Sequence, residues 1–251
     1  MVIDAHVYLG RSLFGWGQDG DEILSRMDSL GINSAVLCTA RPESYHLEEG
    51  NSTVAGEVRK HPERFYGFVR VDPWREAAHV ELKRGIENLG LVGLFLHPWE
   101  ENFPVNHDRV VSLLSQLGNF KKRVPVMISG GHPRVSEPSQ IADLVSRFPD
   151  LSFIVTSGGQ INISGEGLLE ARLLIRDHPN VVMDTSGVYR EDFIEGIVRE
   201  FGGRRVVFGS ASPQYDQRLE WQRIRLAYVT EEDRAWISGK TIQSLLTLTK
   251  N

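Results

Sequence analysis

Near its start the chain alternates apolar and polar positions: Ile3, Ala5, Val7 and Leu9 fall on one side, Asp4, His6 and Tyr8 on the other. That two-residue period predicts a β-strand with a polar face carrying an imidazole. Seven further strand-like runs follow, at Ser34–Thr39, Phe65–Val71, Val92–His97, Val124–Ser129, Leu151–Ser157, Val181–Ser186 and Arg205–Ser210. Between them the apolar residues recur at helical spacing. Helices are predicted over Asp21–Leu30, Tyr45–Lys60, Arg75–Asn88, Asp108–Lys121, Ser136–Arg147, Gly167–Arg176 and Glu191–Phe201. Gly31 stops the first, and Ser136 with Pro138 reads as an N-cap followed by proline in the first turn. From Asp216 onward the chain reads as helical, with breaks near Thr230 and Gly239. Gly10 to Gly20, carrying Phe14 and Trp16, reads as a glycine-rich loop.

Eight strands, each followed by a helix, predict a (β/α)8 barrel of the α/β class rather than an open doubly wound sheet. The 251 residues show no linker or shift in composition, so one domain over 1–251 with extra C-terminal helices is expected. The apolar and charged fractions, 41% and 24%, are those of an ordinary globular chain. A net charge of −5 without a Lys/Arg run excludes a general nucleic-acid or anionic-membrane surface. The one cysteine, Cys38, lies in an apolar run and is expected as a buried, reduced thiol. With a strand beginning at Val2 and no apolar run near 18 residues, a cytoplasmic protein without signal peptide or membrane span is expected.

In a barrel of this kind the loops after the strands build the site. The strand ends supply His6 and Tyr8, Arg70 and Asp72, Phe95 and His97, Ser129 with Gly130-Gly131-His132, Ser157 with Gly158-Gly159, Asp184 and Ser186, and Ser210-Ala211-Ser212. Phe14, Trp16 and Trp99 would wall the pocket, while Trp221 and Trp236 are assigned to packing. Arg70 should point inward, because Val69 and Val71 occupy the other face. It would serve either an ion pair with an inward acid such as Asp72 or a ligand carboxylate. A Ser-His-Asp triad is not expected: Ser129-Gly130-Gly131-His132 reads as a turn without a partner acid, and no Gly-x-Ser-x-Gly elbow occurs there. Gly239-Lys240-Thr241 lacks the upstream glycine of a phosphate loop.

Taken in order, these segments resemble the amidohydrolase family, in its branch related to aminocarboxymuconate-semialdehyde decarboxylase. The resemblance runs through Ile3-Asp4-Ala5-His6, Gly93-Leu94-Phe95-Leu96-His97-Pro98, Val124-Pro125-Val126-Met127-Ile128, Arg147-Phe148-Pro149-Asp150-Leu151, Met183-Asp184-Thr185-Ser186-Gly187 and Val207-Phe208-Gly209-Ser210-Ala211-Ser212-Pro213. It implies a barrel and a metal-dependent hydrolase or decarboxylase activity. It also implies ligands that are often carboxylated, and metal positions that this chain mostly fails to fill. The family's His-x-His pair has Tyr8 second, the histidines ending its fifth and sixth strands become Ser129 and Ser157, and the aspartate ending its eighth becomes Ala211. The metal-independent lactone hydrolases of the superfamily also use that aspartate.

Of the five positions only His6 keeps its residue, so no zinc or other cofactor is expected. The favoured reading is a degenerate site, without metal-dependent hydrolysis, that binds a small molecule, a carboxylate among the candidates, through His6, Tyr8, Arg70, His97, Ser129, Ser157, Asp184, Ser186 and Ala211. Two alternatives stand beside it: an active hydrolase or decarboxylase using His6 and His97 with a serine, and a non-catalytic subunit of a mixed oligomer. Homo-oligomerisation is left open.

Overall fold

The opening strand, β1 (Ile3–Arg11), does not keep one alternation from end to end. Its pairing with β3 (Ser34–Thr39) slips between Asp4 and Val7. Ile3, Ala5 and Tyr8 therefore pack in the inner cluster, whereas Val7 and Leu9 pack in the outer one beneath the helices. Such a bulge inserts a residue and re-aims the side chains around it. Here it lets Ala5 and His6 both contribute to the interior, where strict alternation would place them on opposite faces.

The computed structural model describes residues 1–160, 165–188 and 190–247. After β1 the glycine-rich segment is not all loop: Gly17–Gln18 forms β2, antiparallel to Gly10–Arg11. The parallel strands then follow as β3, β4 (Phe65–Arg70), β5 (Gly93–Leu96), β6 (Val126–Ile128), β7 (Phe153–Val155), β8 (Val181–Asp184) and β9 (Val206–Val207), each bonded to the one before. The ring closes where Ala5 N–H donates to Phe208 O, Ala211 N–H to His6 O and Tyr8 N–H to Ser212 O, each at 2.8 Å. The result is the (β/α)8 barrel that the spacing predicts.

Asp4 fastens this seam. Its buried carboxylate accepts from the backbone N–H of His6 and Ser210 and from Gln217 Nε2 at 3.1, 2.9 and 2.7 Å. Burial pushes its pKa up to about 6 against those bonds. Gln18 adds a second tie, donating from Nε2 to Tyr8 O and Ser212 O.

The helices are α1 (Gly20–Leu30), α2 (Leu47–Lys60), α3 (Ala78–Lys83), α4 (Asp108–Leu117), α5 (Pro138–Ser146), α6 (Gly165–Asp177), α7 (Glu191–Phe201), α8 (Gln217–Leu226), α9 (Glu231–Ala235) and α10 (Thr241–Thr247). π-Helical turns at Arg84–Asn88 and Trp236–Lys240 extend α3 and join α9 to α10. Helix α1 begins with the reciprocal Asp19/Glu22 capping box and ends on left-handed Gly31. Helix α5 is capped by Glu137, not Ser136. The Ser136 hydroxyl instead accepts the His132 N–H, and Pro138 takes the first turn. The predicted C-terminal helix runs into 248–251, which lie outside the described residues.

Two apolar layers result. Val69, Leu94, Val126, Phe153 and Val181 face the helices, while Phe68, Phe95, Met127, Ile154 and Val182 fill the barrel. Cys38 belongs to the inner layer, and burial pushes its thiol pKa up, which keeps it protonated and inert. Among the described residues no helix is long and apolar enough to cross a membrane.

Candidate functional site

A cavity of about 250 Å³ opens at the C-terminal ends of the strands. His6, Tyr8, His97, Ser129, Ser157, Ser186 and Ala211 line it. Trp16, Phe14 and Trp99 stand around the mouth as the walls assigned to them. A larger open groove, about 790 Å³, lies outside the barrel between Asp21–Ser29 and Pro213–Arg218 and holds none of the strand-end candidates.

His6 sits at the bottom. Its Nδ1 is 3.5 Å from Asp184 Oδ2, and its ring meets Tyr8 edge-on with centroids 4.8 Å apart. It is 2% exposed, and neither ring nitrogen has a hydrogen-bond partner. Asp184 lies behind the imidazole and does not line the cavity. Its Oδ1 accepts from the N–H and hydroxyl of Ser186 and, at 3.4 Å, from the Ser157 N–H. A glycine makes this possible: a Cβ at Gly209 would stand 1.9 Å from Asp184 Oδ2.

Arg70 takes the first of the two roles open to it, with different acids. It points inward and is fully buried, and it is not among the residues lining the cavity. Nη2 donates to Glu100 and, at 2.7 Å, to Glu101 Oε1; Nε reaches Glu101 Oε2 at 3.3 Å and Nη1 donates to Thr39 O at 3.0 Å. Asp72 pairs with Arg75 instead, at 3.6 Å. Burial pushes Glu101 up to about 7, with Arg70 pulling the other way.

Glu100 and Glu101 escape sequence reasoning because they follow a proline and a tryptophan in a loop. The available signal was their place directly after His97-Pro98 at a strand end. Glu100 lines the cavity. Its backbone N–H donates to His97 Nδ1 at 3.2 Å, so the neutral ring carries its proton on Nε2, 3.7 Å from Glu100 Oε1. Burial and the Arg70 charge hold the His97 pKa well below its ordinary value.

His132 is the other residue that the reading undervalued. The Gly130-Gly131 turn folds it back so that Nε2 lies 3.1 Å from Ser129 Oγ. Gly131 has φ 82°, and a Cβ there would meet the Gln160 backbone at 2.5 Å, which is why the turn needs glycine. Trp99 stacks on the His132 ring, centroids 5.5 Å apart at 12°. Burial lowers the His132 pKa to about 4.

Tyr8, Ser129, Ser157 and Ala211 are thus brought together around His6 at one mouth. Ser157 and Ala211 both have left-handed backbones, φ 55° and 50°. Burial holds the Tyr8 phenol pKa well above its ordinary value. Among the described residues no three His, Cys, Asp or Glu side chains converge where they could hold a metal ion.

A closed parallel barrel with a polar C-terminal mouth defines the class. The chain belongs to the amidohydrolase family, whose pattern it matches over residues 21–248. Among solved structures it is similar to 2,6-dihydroxybenzoate decarboxylase in complex with 2,6-dihydroxybenzoate, at 18% identity and TM-score 0.78 over 99% of this chain and 98% of that one. It is similar to an uncharacterised TIM-barrel protein from Bordetella bronchiseptica, at 18% identity and TM-score 0.77 over 100% and 99% of the two chains. The 5-carboxyvanillate decarboxylase from Sphingomonas paucimobilis follows at 16% identity and TM-score 0.76, over 99% of each chain. These likenesses are of fold. No curated protein matches the sequence.

Proposed function

We propose that this barrel binds a small molecule at its mouth and does not carry out metal-dependent hydrolysis. The observation that carries the reading is the set of side chains ringing His6. Tyr8 is a buried phenol kept protonated, Ser129 is bonded to His132, Ser157 offers a neutral hydroxyl and Ala211 offers no donor. A catalytic zinc needs about three anionic or imidazole ligands at one point. This donor set does not fit such an ion. The cavity, aromatic at its rim and polar inside, has the composition of a small-ligand site of modest size.

The test is reconstitution. Purified protein incubated with zinc or manganese and desalted should retain no stoichiometric metal. The combined variant Tyr8→His, Ser129→His, Ser157→His, Ala211→Asp should retain one ion. Histidine and aspartate tolerate left-handed backbone better than most residues, so the φ values at 157 and 211 do not oppose the exchange. Stoichiometric metal in the unaltered protein would overturn the reading.

A second reading, a metal-independent hydrolase, draws on the Ser129–His132 hydrogen bond. Two features count against it. A base with a pKa near 4 is poorly matched to neutral pH, and among the described residues no carboxylate bonds to His132 to orient it.

A further inference from the structure

The groups lining the cavity bear on the charge of the molecule it would hold. Arg70 is a fully buried cation shared by two acids, Glu100 and Glu101. Arg70 balances one of the two, and because burial pushes Glu101 up to about 7, the second adds its negative charge beneath the mouth as pH rises through that value. Glu100 is the member that lines the cavity, and it is only 6% exposed. Among the described residues no lysine or arginine lines the same space. An anionic ligand would be desolvated beside the Glu100 carboxyl with no cationic side chain among the described lining residues to compensate it.

The hydrogen-bonding inventory leans the same way. His6 is buried with both ring nitrogens unpartnered, although it lines the cavity. With Nδ1 turned to Asp184 Oδ2 at 3.5 Å, the proton of a neutral ring belongs there, leaving Nε2 as an acceptor. Glu100 Oε1 is a second acceptor facing His97 Nε2 at 3.7 Å, beyond a hydrogen bond. These two acceptors, one an imidazole nitrogen and one a carboxyl oxygen, suit a ligand rich in N–H donors. Around them stand aromatic faces: Trp99 is stacked on His132, and Trp16 lies 5.1 Å from Tyr8, centroid to centroid. Aromatic faces attract cations and exclude water.

We infer that the mouth of this barrel binds a flat organic cation of the amidinium or guanidinium type, with Glu100 and His6 accepting its N–H groups and Trp99 and Trp16 packing on its faces. The inference rests on the small-molecule reading above and adds the charge and shape of the ligand.

Benzamidine, benzamide and benzoate have nearly the same shape and differ in charge, so binding of the three to the full chain isolates the charge. Thermal shift and tryptophan fluorescence should give benzamidine an affinity at least tenfold above benzamide, with benzoate weakest. Glu100→Gln should erase the preference for benzamidine while benzamide binding persists. Because Glu100 also contacts Arg70, Trp99→Leu is the second variant. Trp99 is 55% exposed and outside the core, and its loss should weaken benzamidine more than benzamide. Benzoate binding as tightly as benzamidine, or an unchanged preference in both variants, would overturn the cation assignment and leave the pocket reading intact. No response to any of the three compounds would overturn both.

Discussion

Asp184 reaches His6 through a gap that only a missing side chain provides: Oδ2 lies 3.5 Å from Nδ1, and a Cβ on Gly209 would come within 1.9 Å of that oxygen. The contact joins the end of β8 to β1 across the seam where the ring closes. The barrel's closure and the placement of its deepest imidazole are therefore one piece of structure. Asp4, bonded to the N–H groups on either side of the seam, holds it from below.

Gly209→Ala should consequently do more than add a methyl group. Asp184 is buried and cannot swing to solvent, and His6 Cβ would stand 3.1 Å from the new carbon. Overpacking a tight interior costs about 1–3 kcal/mol. Chemical denaturation should show a loss in that range or larger. Gly31→Ala on the surface is the control: nothing stands within 4 Å of its Cβ, and only the cost of its left-handed cap remains. Equal losses at the two sites would mean that the Asp184 contact is not made.

Arg70 separates an internal counter-ion from a ligand-binding group. Removing its charge strands Glu100 and Glu101 in the interior, and breaking a buried pair from one side costs about 3–5 kcal/mol. Arg70→Met should therefore be strongly destabilised in thermal melts. The double variant Arg70→Met, Glu101→Gln should recover part of the loss, because one stranded charge is gone. A normally stable Arg70→Met protein would refute the ion-pair assignment.

Much of this was legible in the sequence. Alternation placed Val69 and Val71 outward and Arg70 inward, and spacing alone gave eight strand–helix units. The bulge in β1 was not legible, since nothing in Ile3–Leu9 breaks the apolar period; it arises from closing the ring against Phe208–Ser212. The partners of Arg70 were missed for a related reason. Asp72 is near in sequence, but strand direction carries it toward Arg75, while the loop after β5 brings Glu100 and Glu101 back over the guanidinium. The folding back of His132 onto Ser129 depends on Gly131 taking a positive φ, which a Gly-Gly pair permits but does not dictate.

The imidazoles make a prediction about pH. Burial lowers His132 to about 4 and holds His97 well below its ordinary value, so both are neutral in the folded protein where an unfolded histidine, near 6.5, would gain a proton. A pKa depressed by folding contributes stability above the unfolded value, and that contribution is lost as pH falls toward the folded one. Wild-type melting temperature should therefore drop between pH 7 and pH 4.5 more than that of His132→Gln. Glu101 and Asp4, pushed up to about 7 and 6, act in the opposite sense, so the difference between the two proteins is the informative quantity. Parallel curves would show that His132 is not held neutral by the fold.

The last prediction concerns whether Ser129 is a nucleophile. The 3.1 Å bond to His132 Nε2 is the arrangement an activated serine needs, and Trp99 keeps the imidazole plane fixed. Activation also requires that the base take up the serine's proton as the oxygen attacks. A group that titrates near 4 is a weak base at neutral pH, and a third residue would have to stabilise the imidazolium. The His132 backbone N–H is bonded to Ser136 Oγ, which fixes the turn and leaves the ring chemistry unchanged. Incubation with a fluorophosphonate at pH 7.5 should therefore leave Ser129 unmodified by intact-mass and peptide analysis. Hydrolysis of an activated aryl ester should be the same for wild-type and Ser129→Ala. Stoichiometric labelling at Ser129, lost in His132→Gln, would establish the hydrolase reading and displace the binding one.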